Sequence, residues 1–204
     1  MNKQLTKVKK ADIKAINELL AAQAALGQKL GVNNIQQNRY MRDCSIGALV
    51  GVDKMNLDLH GWDGEFKNGM PFENKNVKAT CKYRVSFSLK FQDTSLEKLE
   101  ELKTGVIVTT SFWDNNGKPA FILVGNTSTV GDYLEESYNP ESRKSSTVSM
   151  IRCLNRGFKL VAGSWSKQQV IDALGSKFTR LGQSLTTTDI ASQKELKSIV
   201  EEMM

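Results

Sequence analysis

Between Asp12 and Leu30, apolar residues recur at Ile13, Ile16, Leu19, Ala22, Leu26 and Leu30, three and four positions apart, with Leu20 widening the stripe and Gly31 following as a stop. This spacing predicts an amphipathic helix. A second apolar run, Met41 to Val52, contains Gly47 and Gly51 and reads as a short helix or as a helix passing into a strand. Between residues 61 and 78, two short β-like runs flank Lys67-Asn68-Gly69. An Asn-Gly pair in that setting predicts a hairpin, because these residue types tolerate the positive φ that a tight turn needs. From Tyr83 to Gln92 the alternation is strict. Tyr83, Val85, Phe87, Leu89 and Phe91 share one face, and Arg84, Ser86, Ser88, Lys90 and Gln92 the other, as in a half-buried strand.

A brief helix follows from Ser95, a candidate N-cap, to Lys103, then a strand from Gly105 to Trp113. Asn115-Asn116-Gly117-Lys118 turns the chain into Ala120 to Val124, a second hairpin. Beyond Gly131 the pattern weakens to a polar link containing Pro140, a strand within Val148 to Val161, a helix from Lys167 to Leu174, and a terminal helix from about Asp189. That last helix carries Leu196, Ile199, Val200 and Met203 on one side. The element order implies an α/β protein of the α+β, mixed-sheet kind, its central sheet flanked by helices.

A chain of 204 residues bounds this to one domain with a proper core. The expected division is a core over residues 1–130, including the N-terminal helix, and a C-terminal extension over 131–204 packed on it. No segment approaches the roughly 18 apolar residues needed to span a bilayer, and the N-terminus lacks the apolar region of an export signal. Cys44, Cys81 and Cys153 are odd in number and widely spaced, which argues against a disulfide framework and fits a reducing cytoplasm. The net charge of +6 is unevenly placed. Arg143, Lys144, Arg152, Arg156, Lys159, Lys167, Lys177 and Arg180 face only Glu141 and Asp172 over residues 141–183, so the basic excess sits in the C-terminal third. Such a segment is the footprint of a polyanion binder or a solvated basic face.

Candidate chemistry lies in the first hairpin, Gly61-Trp62-Asp63-Gly64-Glu65-Phe66-Lys67-Asn68-Gly69-Met70-Pro71-Phe72-Glu73-Asn74-Lys75. A turn at Asn68-Gly69 puts Asp63 near the end of one strand and Glu73 and Lys75 on one face of the other. Two carboxylates converging from separate strands suit a hard divalent cation, Mg²⁺ with waters retained or Mn²⁺ in its place. Lys75 beside them can hold a water, and the trio suits hydrolysis of a nucleic-acid backbone. Cross-strand ion pairs on a solvated hairpin are the plain alternative. Glu65-Phe66-Lys67, with Asp53 or Asp58 upstream, repeats the acid-x-Lys pattern but abuts the turn. No GxxxxGK[ST] or GxGxxG stretch occurs, which argues against a nucleotide cofactor. His60, the single histidine, has no serine partner motif; it could act as a general base, which a metal-and-lysine mechanism does not require. Trp62, Trp113 and Trp165 could stack on bases or fill the core.

Asp63-(x9)-Glu73-x-Lys75 on a hairpin, after an N-terminal helix and before an alternating strand, resembles the PD-(D/E)XK nuclease superfamily. Lys29 to Ile35 and the glycine-dotted run Ile46 to Val52 extend the likeness, in order and spacing, to its restriction endonucleases, over residues 12–125. The resemblance implies a restriction-endonuclease-like core, Asp63 and Glu73 as metal ligands with the carbonyl of Asn74, and Lys75 as the catalytic lysine. It implies an endodeoxyribonuclease acting on double-stranded DNA as a homodimer, with the subunit contact at the first helix. A restriction enzyme, a phage nuclease, and a repair or Holliday-junction nuclease share this core, as would an inactive DNA-binding module. The reading strand of the family falls at Phe87-Ser88, where this chain has Lys90 and Gln92 in place of consecutive histidines. Ser88, Lys90 and Gln92 are therefore candidate base contacts, and Arg152, Arg156 and Lys159 candidate phosphate contacts.

Overall fold

A computed structural model describes residues 5–29, 39–56, 61–79, 88–91, 95–136 and 146–204. The elements run β1 (Leu5–Thr6), α1 (Lys10–Lys29), α2 (Arg39–Val50), β2 (Lys54–Asn56), β3 (Gly64–Glu65), β4 (Pro71–Lys78), β5 (Ser88–Phe91), α3 (Leu96–Lys103), β6 (Ile107–Trp113) and β7 (Pro119–Asn126). They continue with α4 (Ser128–Glu136), β8 (Ser146–Ser149), α5 (Met150–Leu154), β9 (Lys159–Ala162), α6 (Lys167–Thr179), β10 (Ile190–Ala191) and α7 (Leu196–Met203). Eight strands form one mixed sheet in the order β1-β2-β3-β4-β6-β7-β9-β10, and β5 pairs with β8 in a separate ribbon. The expected mixed sheet flanked by helices is present.

Every residue of β6 is buried, which is why Ile107 to Trp113 reads as a nearly continuous run of apolar and small hydroxyl side chains. β6 lies parallel to β4 and antiparallel to β7. A parallel neighbour requires a crossover, and α3 lies within it. One sheet face packs Val108, Phe112, Phe121, Leu123 and Leu160 against Leu102, Val130, Met150, Val170, Leu174 and Phe178 of α3 to α6. The other packs Phe72, Ile107, Trp113, Ile122 and Val161 against Leu20, Ile46, Val50, Leu196 and Val200 of α1, α2 and α7.

Several expectations need correction. In α1 the buried residue is Leu20, with Ile13 and Ile16 partly covered, whereas Leu19 and Leu26 stand 54% and 50% exposed. The packed stripe is rotated from the predicted one, because at 3.6 residues per turn 13, 16 and 20 line up while 19, 22 and 26 form the adjacent strip. The single strand expected within Val148 to Val161 resolves into β8, α5 and β9. α4 is an additional helix where the apolar pattern gives no prediction, and α6 runs on to Thr179 so that Phe178 joins Val170 and Leu174 in the core. The terminal helix starts at Leu196 instead of Asp189, whose carboxylate closes a 3₁₀ turn by accepting the N–H of Thr186 at 2.7 Å. Of the alternating strand Tyr83 to Gln92, Ser88 to Phe91 is a strand, but in the ribbon with β8; the remainder lies outside the described residues.

The first hairpin turns as predicted. Gly69 sits at φ +85, its N–H donating to the carbonyl of Phe66 at 3.0 Å. In the second hairpin Gly117, at φ +69, lets the turn approach α1 so closely that a Cβ there would lie 2.5 Å from the carbonyl oxygen of Leu20. Among the described residues no helix is long and apolar enough to cross a membrane.

Candidate active site

β3 pairs with β4 only at Gly64–Phe72 and Glu65–Pro71. From Glu73 onward β4 is bonded along one side by β6, and among the described residues no strand covers its other side. On that open side the N–H of Asn74 donates to Asp63 Oδ2 at 2.7 Å. A carboxylate thus satisfies a backbone donor that would otherwise lack a ladder partner. Because N–H and C=O of one strand residue leave on the same side, the carbonyl of Asn74 faces the same edge. Glu73 and Lys75, two positions apart, share the sheet face of Val77, Val108 and Phe112. The ammonium of Lys75 is ion-paired with Glu73 Oε1. Asp63, Glu73, Lys75 and the Asn74 backbone therefore gather at one edge of one strand.

The site is buried and rich in acids. Burial drives the Glu73 carboxyl above the usual carboxylate range and the charge of Asp63 pushes it further, while Lys75 and Arg39 pull it back. Asp63 is likewise raised by burial, against the opposing pull of the Asn74 N–H, Arg39 and Lys75. Arg39 Nη2 donates to Asp63 Oδ1 at 3.2 Å, and its Nε lies 3.5 Å from Asp43 Oδ2.

Asp43, on α2, is the acid that sequence reasoning missed. It is 4% exposed and accepts N–H from the amides of Asn74, at 2.8 Å, and Asn76, at 2.7 Å. Burial first, and then the charge of Asp63, lift it to about 7. The two amide oxygens are also occupied. Thr109 and Ser111 hydroxyls donate to Asn74 Oδ1 at 2.9 and 3.1 Å, and Ser111 Oγ and Trp113 Nε1 donate to Asn76 Oδ1 at 3.0 and 2.8 Å. The available signal was an aspartate inside the apolar run Met41 to Val52, where a charge costs energy unless it is paired.

The candidate DNA contacts lie outside β4. Ser88 and Lys90 belong to β5, in the separate ribbon. Gln92 and His60 lie outside the described residues, as do Asp58, Cys81, Arg143 and Lys144. Arg152 and Arg156 are exposed, and the guanidinium of each lies 5.1 Å from the ring centroid of Tyr133. Lys159 is exposed on β9, three strands and about 14 Å across the sheet from β4, so it stands apart from the carboxylates. Glu65, of the competing acid-x-Lys stretch, pairs with Lys54 at 3.6 Å. Trp113 is a core residue with its N–H bonded; Trp165 is half-buried against Phe121 at 5.7 Å, and the carbonyl of Trp62 accepts from Asn56 at 2.8 Å.

No cluster of three or more His, Cys, Asp or Glu side chains forms a ready cage among the described residues. The donor set of Asp63, Glu73 and the Asn74 carbonyl is all oxygen with two carboxylates, which fits Mg²⁺ bound with most of its waters. Positive charge there would also offset the burial that holds both acids above their ordinary range, and for Glu73 the added charge of Asp63. No family model matches the chain, and no curated protein matches it.

Proposed function

We propose that this chain is a Mg²⁺-dependent endodeoxyribonuclease of the PD-(D/E)XK type, resembling the type II restriction endonuclease PvuII or a phage nuclease, with a restriction-endonuclease-like core. The observation that carries the reading is the meeting of Asp63, Glu73 and Lys75 at the open edge of β4. Asp63 and Glu73, with the carbonyl of Asn74, hold the cation. When bound, the cation neutralises charge on the phosphodiester and acidifies water at the site. Lys75 holds and orients the attacking water through its ammonium, in line with the scissile P–O bond. As the new P–O bond forms and the P–O3′ bond breaks, the attacking water gives a proton to solvent and the departing 3′-oxygen takes one from solvent, leaving 5′-phosphate and 3′-hydroxyl ends. Arg39, more than half exposed beside Asp63, adds positive charge at the rim of the same site.

Double-stranded DNA is the substrate this reading implies, and the exposed Arg152, Arg156 and Lys159 supply basic contacts for its backbone. A homodimer is the assembly that the resemblance implies, with its contact at α1. The exposed Leu19 and Leu26, on one strip of that helix with Ala22, support it. The test is incubation of supercoiled plasmid with Mg²⁺, with Mn²⁺ or with EDTA, for the wild type and Lys75→Ala. Cleavage by the wild type that needs the metal and is lost in the variant, with DNA binding retained, is expected. Undiminished cleavage by Lys75→Ala, or none by the wild type, overturns the proposal.

A further inference from the structure

β6 carries three hydroxyl residues in succession, Thr109, Thr110 and Ser111, each at most 1% exposed. The outer two point to the sheet face of α2, where they donate to the amide oxygen of Asn74. Alternation along a strand sends the middle one to the opposite face. There the parallel register sets Thr110 directly beside Lys75, with Val108 beside Glu73 and Phe112 beside Val77. Apart from Lys75 on β4, the strand neighbours of Thr110 on that face are apolar: Val108 and Phe112 on its own strand, and Leu123 opposite it on β7. Its Oγ1 is buried and has no hydrogen-bond partner, one of only two such side-chain atoms among the described residues.

Packing does not account for that hydroxyl. Valine has the same shape and would fill the position without a buried polar atom left unpaired, which destabilises the fold. An orphan hydroxyl retained next to the proposed catalytic lysine instead suggests a partner that it acquires during the reaction. In the structure as it stands Lys75 is held by Glu73. Glu73 is also a proposed cation ligand, and a carboxylate whose oxygens face a cation gives up its grip on the ammonium. Lys75 then needs a second acceptor to keep it over the edge of β4.

We infer that Thr110 is a positioning residue for Lys75, its Oγ1 accepting an N–H from the Lys75 ammonium, directly or through one water, when Glu73 turns to the metal. The inference rests on the proposed nuclease reading for its catalytic consequence, but the Thr110–Lys75 contact itself does not depend on cleavage. Thr110 makes no contact with substrate in this account and acts only through the lysine.

The experiment has two arms. In the first, Thr110→Val and Thr110→Ser are compared with wild type for single-turnover cleavage in Mg²⁺, DNA affinity in Ca²⁺ and thermal unfolding. Thr110→Val should cut about tenfold more slowly with affinity unchanged and a melting temperature equal to or above wild type, and Thr110→Ser should restore the rate. A purely structural hydroxyl would lower the melting temperature. In the second arm, Lys75 acetylation by an N-hydroxysuccinimide ester is followed by mass spectrometry in Glu73→Ala, which leaves no acceptor at position 73, with and without Thr110→Val. Adding Thr110→Val should speed labelling severalfold, because the amine has lost its remaining acceptor. A Thr110→Val enzyme that cuts at the wild-type rate, or labelling unchanged between the two backgrounds, overturns the inference. Absence of cleavage by the wild type would sink the nuclease reading instead, and the labelling arm would still decide the contact.

Discussion

Asp43 accepts an amide N–H from Asn76 at 2.7 Å, and this bond ties α2, on one face of the sheet, to the strand that carries Glu73 and Lys75 on the other. Asn74, next to both site residues, joins the same carboxylate. The polar network beneath β4 is therefore the floor of the candidate site. Asn74→Ala leaves Asp43 short of a donor and strands the hydroxyl of Thr109. Each buried group left unpaired costs about 1–3 kcal/mol, so a loss of roughly 2–4 kcal/mol is expected in urea unfolding.

The pH dependence follows from the direction in which Asp43 is shifted. Its folded value, about 7, lies above its unfolded one, so the protonated acid favours the fold. That contribution is complete below about pH 4 and is lost as pH rises through 7. Asp43→Asn keeps an acceptor oxygen for both amides and cannot ionise. The melting temperature of the wild type should therefore drop more between pH 5 and 8 than that of the variant; parallel profiles would contradict the assignment.

Cation binding should run the other way with pH. Glu73 and Asp63 are both raised, chiefly by burial, so protons compete with a metal for them more strongly as the pH falls. Mg²⁺ at ten times its dissociation constant adds about 1.4 kcal/mol of stability. The resulting rise in melting temperature should be larger at pH 8 than at pH 6 and vanish in Glu73→Gln.

Arg152 and Arg156 are exposed residues, and the guanidinium of each lies 5.1 Å from the ring centroid of Tyr133. If both meet phosphates, replacing them together with Ala reduces the steepness of log affinity against log salt by about 2, and weakens binding to all sequences alike. Fluorescence anisotropy on a labelled duplex across a salt series measures this.

Leu19→Glu with Leu26→Glu places charge on the exposed strip of α1 and leaves Leu20, the buried residue, in place. The double variant should keep its fold, since exposed substitutions cost little, and should shift from dimer to monomer by light scattering. A wild type that is already monomeric at high concentration removes α1 as the subunit contact.

Much of this could be read from the chain because it is local. The Asn68-Gly69 turn needs only the φ freedom of Gly69, and β6 needs only a run of buried side chains. Both signals survive whatever the rest of the protein does. The division of Val148 to Val161 into β8, α5 and β9 was hidden, because so short a segment carries too little periodicity to separate a five-residue helix from strand. α1 was legible as a helix, but its buried side was not: apolar residues occupy two adjacent strips, and contact with α2 and the sheet selects the one containing Leu20.

The order of residues by itself determined that Glu73 and Lys75 share a strand face, that Asp63 lies across a tight turn from them, and that a mixed sheet with helices would form, since each follows from a spacing of a few residues. Only the tertiary structure decided that Asp43 lies beneath this strand and that Thr110 sits unpartnered beside Lys75. Those relations join residues more than thirty positions apart, and their energies come from desolvation and shared hydrogen bonds that exist only once the sheet and helices have packed.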